Sequence, residues 1–340
     1  MNQKEAPHFT KEWLLSALSY VRRDFEATIT QSVNDDRALI RSQTAQNLGL
    51  DTIAHDAITA IDQAIVDANN LQWPGGIEIR YVALLGALKS LASASTALQP
   101  NTPDLPHLSY LTDLMRKAEY LAASNFRRRL AKKFTGIYVI VDPELTNGRD
   151  IRWVVEQSIK GGASAIQLRV KNKDKGDWLK LTSDVSQVCN SEDVVFIVND
   201  HADIAVASNS HGVHLGQHDL PPESAREVLN PWQLIGTSNA LLTEAQDSYR
   251  KGCDYLAVGR MFPTSSKSNT RHAGLETLSA IRESIPEDGP PIIAIGGINL
   301  ANANQAKIAG ADCICVISAV TLAKDPCDAV VRLRDAFLAS

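Results

Sequence analysis

Along residues 136–318, short apolar runs recur with segments long enough for a helix between most of them. The runs are GIYVIVD, AIQLRV, VVFIVND, GVHLG, QLIGTS, DYLAVGR, PIIAIGG and ADCICVIS. Strand-like runs spaced in this way imply parallel pairing, because the chain must cross back over the sheet before it starts the next strand. Eight such units in about 200 residues predict an α/β fold, a (β/α)8 TIM barrel near its lower size limit. A doubly wound open sheet is the alternative, but no GxGxxG follows the first run.

Before residue 134 the pattern is helical. Leu14, Leu18, Val21 and Phe25 recur at steps of four, three and four, which is the helical period. Further helices are expected over 54–70, 78–94 and 106–132, the last two separated by the proline-rich QPNTPDLPH. The expected organisation is an all-α domain over 1–133 followed by the barrel over 134–340. NFRRRLAKK lacks interleaved aromatics and reads as a solvated helix face leading to a linker. The helical half shows no catalytic constellation. Its apolar stripes suit dimer contacts or regulation, so a homo-oligomer is one expectation.

Composition narrows the function classes. A chain of 340 residues with 44% hydrophobic and 21% charged residues is ordinary for a soluble globular protein. A net charge of −5 is too mild to argue for a nucleic acid or a membrane surface as partner. MNQKEAPHFTKEW has no secretory signature, and no stretch approaches the roughly 20 apolar residues of a membrane span. The five cysteines include no zinc-like CxxC pair. Cys313 and Cys315 share one strand face, where they serve as small hydrophobes. A cytoplasmic protein is expected.

In a barrel of this kind the chemistry sits at the carboxyl ends of the strands. The second run ends QLRVK, so Gln167, Arg169 and Lys171 share one face and Leu168 and Val170 the other. Two cations lining a barrel mouth ask for a bound anion. Asn199 and Asp200 close the third run, and Asp219 follows the fourth. Neighbouring carboxylates repel unless a cation or a shared proton lies between them. Carboxylate oxygens completed by waters and a substrate phosphate describe a Mg²⁺ site, although each aspartate alone equally suits a helix cap. His214 and His218 have metal-like spacing, but no Cys or matching Glu completes a zinc set, which favours a structural His214. Thr264, Ser265, Ser266 and Lys267 offer hydroxyls, amides and one cation after the sixth run. Gly297 after the seventh and Ile317–Ser318 after the eighth stand where barrels commonly bind phosphate. Two anion sites on one rim suit an enzyme that joins a diphosphate substrate to a monophosphate substrate.

QLRVK, VND, GVHLGQHDL, IGTS, VGRMFPTSSK, AIGGI and VIS stand in the order and approximate spacing of thiamine-phosphate synthases, a family this chain resembles over 136–338. The resemblance implies a barrel enzyme that joins 4-amino-5-hydroxymethyl-2-methylpyrimidine diphosphate to 4-methyl-5-(2-phosphoethyl)thiazole, releasing diphosphate. It implies Mg²⁺ on Asp200 and Asp219. Gln167, Arg169, Lys171, Asn199, Ser238 and Lys267 would hold the pyrimidine diphosphate. Thr264, Ser266, Gly297, Ile317 and Ser318 would hold the thiazole phosphate. The implied reaction is dissociative, with Arg169, Lys171, Lys267 and Ser238 as the catalytic set around the departing diphosphate. Val170 replaces the family's usual Glu, and Asn239 stands where members often have His; both departures are expected to alter rate or substrate fit. A thiazole tautomerase and a non-catalytic thiazole-phosphate sensor are the competing readings on the same barrel.

Overall fold

Each apolar run of the second half becomes a strand. In order these are β1 (Gly136–Val141), β2 (Ala165–Leu168), β3 (Val195–Asn199), β4 (Gly212–Leu215), β5 (Leu234–Asn239), β6 (Tyr255–Gly259), β7 (Ile292–Ile295) and β8 (Cys313–Val316). All pair in parallel with their sequence neighbours, and β8 pairs with β1, so the sheet closes. The computed structural model describes Ser19, Ala123, Ser124 and residues 126–171, 174–264 and 271–339. Most of these belong to the second of two compact units, Arg127–Ser340. The helices expected around Leu14–Phe25 and over 54–70 and 78–94 lie outside the described residues, Ser19 excepted.

Helices return the chain after each strand: α1 (Ile151–Lys160), α2 (Lys175–Ser191), α3 (Ala202–Ala207), α4 (Pro222–Val228), α5 (Leu242–Arg250), α6 (Gly274–Ser284), α7 (Ala303–Ile308), α8 (Ser318–Thr321) and α9 (Pro326–Leu338). Local chemistry starts them. The Asp150 carboxylate accepts from Trp153 N at 2.9 Å at the head of α1, and Asp325 does the same for Asp328 N ahead of α9, with Pro326 in the first turn. At the end of α1, Gly161 lets α9 pack closely: a Cβ there would stand 2.6 Å from the Cys327 carbonyl. No helix among the described residues is long and apolar enough to cross a membrane.

Alternation divides the strand residues between two cores. Ile137, Val139, Val141, Ile166, Leu168, Phe196, Val198, Val213 and Leu215 belong to the apolar layer shared with the helices. The alternate residues fill the barrel. Tyr138 on β1 and Tyr255 on β6 meet at 6.2 Å between ring centroids, although their strands are not neighbours, so the contact crosses the interior. Phe134 plugs the amino-terminal end, 5.2 Å from the Tyr138 ring and 4.4 Å from that of Tyr255. Gly236 makes room for Tyr255, since a Cβ there would lie 1.9 Å from the ring. Cys313 and Cys315 are free and buried as expected, and burial pushes both thiols well up.

The floor of the barrel is tied by charge. Asp254, just before β6, accepts from Arg127 Nε at 3.0 Å, Arg226 Nη2 at 2.8 Å and Ile235 N at 2.8 Å. Arg127 thereby fixes the helical residues 127–131 beneath the strands.

At the same end, Phe196 N donates to His211 Nδ1 at 3.0 Å, a bond that requires an unprotonated nitrogen. Burial, aided by Lys133, lowers the His211 pKa from 6.5 to about 4. Below pH 6.5 the unfolded chain therefore takes up a proton that the folded chain refuses until about pH 4. This contribution to stability is present above pH 6.5 and is lost as pH falls through the window. Urea unfolding of His211→Asn, whose amide oxygen can still accept the bond, should show a shallower loss of stability across that window than the parent.

Candidate active site

Closure of a parallel sheet puts all the carboxyl ends on one rim, and the described candidate site residues lie at or just beyond those ends. Gln167, near the end of β2, is buried inside the barrel and donates from Nε2 to the Tyr138 hydroxyl at 2.5 Å. β2 stops at Leu168, so Arg169 and Lys171 lie just beyond it. Beyond the strand end the strict alternation stops: Arg169 and Val170 are both buried and Lys171 is exposed.

Arg169 corrects one expectation. Its guanidinium donates to Asp142, which follows β1, and Asp142 is 1% exposed. The other oxygen of Asp142 accepts from Glu144 N at 3.0 Å. A buried carboxylate therefore already balances Arg169, and its charge alone does not demand a bound anion. The pair holds the guanidinium fork in one orientation at the rim. Asp142 was legible in principle, since GIYVIVD ends in a carboxylate as VVFIVND does.

Asp200 and Asp219 follow neighbouring strands, with Asn199 paired to His214 in the register between them. Both are partly buried at the same rim. The helix-cap alternative does not hold for either: the N-cap of α3 is His201 and that of α4 is Pro221. Asp200 adopts φ = 64°, a left-handed conformation uncommon outside glycine, and its N–H donates to the His214 carbonyl at 2.8 Å. Asp219 closes a tight turn by accepting from Gly216 N at 2.6 Å through Oδ2. Glycine there leaves the turn uncrowded, because a Cβ on residue 216 would come within 2.9 Å of that oxygen. Among the described residues no group of three or more His, Cys, Asp or Glu side chains could cage a metal. Two carboxylates are the kind of donor accepted by a hard cation that keeps most of its waters, which is the habit of Mg²⁺.

Ser238 and Asn239 end β5 and point opposite ways. Ser238 meets His214 Nε2 at 2.9 Å inside the barrel. Asn239 is buried outside it, accepting from Ser248 of α5 at 2.9 Å and donating to the Thr237 carbonyl at 3.0 Å. Val170 likewise belongs to the apolar layer under the helices. Both sequence departures thus face away from the barrel interior.

The rim continues through the later strands. Thr264 follows β6 and is partly buried; Ser266 and Lys267 lie outside the described residues. The two ends of their segment meet, with Arg260 N donating to the Arg271 carbonyl at 2.9 Å and Arg271 forked onto Glu244 at 2.5 and 3.0 Å. Gly297 adopts φ = 68°, and a Cβ on it would stand 2.5 Å from the Pro263 carbonyl. The loops after β6 and β7 are therefore in contact. Asn302 Nδ2 donates to the Gly297 carbonyl at 3.0 Å. Ile317 and Ser318 begin α8 directly after β8.

With this geometry in hand, comparison with known proteins is specific. A family model for thiamine monophosphate synthase matches residues 137–320, more than half of the chain. The chain belongs to that family. A thiamine-phosphate synthase of Fusobacterium nucleatum is 38% identical over 201 residues, covering 59% of this chain and 96% of that protein. One from Coprothermobacter proteolyticus is 41% identical over 199 residues, covering 58% and 93%. The solved thiamine phosphate pyrophosphorylase of Pyrococcus furiosus aligns with a TM-score of 0.56 at 38% identity, over 61% of this chain and 97% of that one. These synthases match nearly end to end, so roughly two-fifths of the present chain has no counterpart in them.

The family motifs are chiefly rim residues. The groups behind them were missed in the sequence: Asp142 under Arg169, the Tyr138–Tyr255 pair under Gln167 and His214, and Asn302 under Gly297. The tyrosines gave no signal, because an aromatic residue in a strand is ordinary core. For Asp142, replacement by Ala strands a buried guanidinium and should cost about 3–5 kcal/mol, seen as a lower urea midpoint. Adding Arg169→Met should restore much of that loss.

Proposed function

We propose that the protein condenses 4-amino-5-hydroxymethyl-2-methylpyrimidine diphosphate with 4-methyl-5-(2-phosphoethyl)thiazole, yielding thiamine phosphate and diphosphate. One observation carries this reading within the family. Asp200 and Asp219 share a rim with Gln167, Arg169, Asn199 and Ser238 on one side and with Gly297 and Ile317–Ser318 on the other. The first group suits a diphosphate with its metal, and the second suits a phosphate monoester held by backbone amides next to glycine.

Asp200 and Asp219 would hold Mg²⁺, which when bound supplies positive charge against the diphosphate. Arg169, already oriented by Asp142, offers a planar fork to a diphosphate oxygen. Lys171, exposed at the rim, and Lys267 add two further cations. Together these groups oppose the negative charge that grows on the leaving group as the carbon–oxygen bond lengthens. The thiazole nitrogen then captures the pyrimidine-methyl cation, so no side chain need act as nucleophile. Asn239, turned outward under α5, is badly placed to serve as the proton-transfer residue a tautomerase needs. A cytosolic setting, where thiols stay reduced, suits five free cysteines.

The deciding assay supplies both substrates with Mg²⁺ and measures diphosphate together with thiamine phosphate. Isomerised thiazole, or binding without turnover, would reject the proposal. Asp200→Ala and Asp219→Ala should each lower kcat by on the order of 10²-fold or more; parental rates in both at saturating substrate would remove the metal clamp. Lys267→Ala should lower kcat more than it raises KM, since its partner gains charge in the transition state. An effect confined to KM for the thiazole would move Lys267 to the other site.

A further inference from the structure

Five side chains from five strands form one continuous hydrogen-bonded chain through the barrel. Gln167 Nε2 on β2 donates to the Tyr138 hydroxyl on β1 at 2.5 Å. That hydroxyl meets the Tyr255 hydroxyl on β6 at 3.3 Å. Tyr255 meets His214 Nδ1 on β4 at 3.1 Å, and His214 Nε2 meets Ser238 Oγ on β5 at 2.9 Å. The rings of His214 and Tyr255 are also stacked, with centroids 5.7 Å apart.

With the Gln167 amide turned so that Nε2 faces Tyr138 and its buried Oε1 has no partner, the direction of every link follows from the first one. An amide nitrogen can only donate, so the Tyr138 oxygen accepts. If Tyr138 also accepted from Tyr255, its own proton would be buried without an acceptor, a cost of about 1–3 kcal/mol. Tyr138 therefore donates to Tyr255, and by the same reasoning Tyr255 donates to His214 Nδ1. Burial holds both phenols far above their usual titration range, so each keeps its proton. A histidine that accepts at Nδ1 carries its proton on Nε2, and that proton goes to Ser238 Oγ.

We infer that Tyr255 and His214 are positioning residues, which lock His214 as the neutral Nε2–H tautomer and leave the Ser238 hydroxyl to donate its own proton at the barrel mouth. Ser238 then selects an acceptor on the substrate, a phosphate oxygen or an unprotonated ring nitrogen, and disfavours an amino group. The selection at Ser238 rests on the synthase reading. The tautomer does not.

The two parts are tested separately on the full chain. Nitrogen-15 NMR at neutral pH, with the His214 signals assigned by their loss in His214→Asn, should show protonated Nε2 and bare Nδ1. A proton on Nδ1, alone or as imidazolium, overturns the inference. Tyr255→Phe keeps the ring and removes the donor. It should release the tautomer to a mixture and lower kcat/KM by on the order of tenfold, the size of one net hydrogen bond. In a Ser238→Ala background the same change should add little, because its effect passes through Ser238. Fully additive losses would reduce Tyr255 to a packing role and overturn its part. If the protein proved not to be a synthase, the kinetic arm would have no signal while the NMR arm would still decide the tautomer.

Discussion

Parallel strands that close on themselves leave one place for their carboxyl ends, and that constraint organises this protein. Once β8 pairs with β1, residues separated by well over a hundred positions in sequence face one another across a single mouth. Gln167, Asp200, Asp219, Ser238, Gly297 and Ser318 become neighbours without any of them specifying the others. Chemistry can then be assembled loop by loop while the strands supply stability.

The barrel interior carries a second role. Its lower part is filled by Phe134, Tyr138 and Tyr255, large rings whose hydroxyls sit in a medium that strongly penalises unpaired polar groups. The hydroxyls are satisfied by linking upward to Gln167 and His214, so packing at the floor is tied to hydrogen-bond direction at the rim. Gly236 is the steric condition for this arrangement, since no side chain could share its space with Tyr255. Breaking a link in such a network leaves its neighbour buried and unpaired, as Gln167 Oε1 already is at the end of this one.

Charge is handled in two distinct ways. Arg169 is neutralised internally by Asp142 and so is oriented before any ligand arrives. Asp200 and Asp219 lie at the rim, Asp200 itself in a left-handed conformation and Asp219 closing a tight turn onto Gly216 N. Conformations of this kind persist where surrounding structure over-determines them and cluster at functional sites. The combination of a preset cation and a carboxylate pair suits a reaction whose difficulty lies in charge on the leaving group.

By itself the sequence determined the barrel and most of its rim. Eight apolar runs with helix-length spacers have few other closed solutions, and polar residues at the ends of VVFIVND, QLRVK and AIGGI mark the functional face because a buried strand cannot hold them elsewhere. Direction and partnership were decided only by tertiary structure. Period-two alternation placed Ser238 and Asn239 on opposite faces, but it could not say which face was the interior until closure fixed it. The sequence left Arg169 looking uncompensated, because its counter-ion sits twenty-seven residues earlier, just after the adjacent strand. Tyr138 and Tyr255, 117 residues apart, carry no local sign of their contact. Such pairings depend on register across the barrel, a non-local property that no short window of residues encodes.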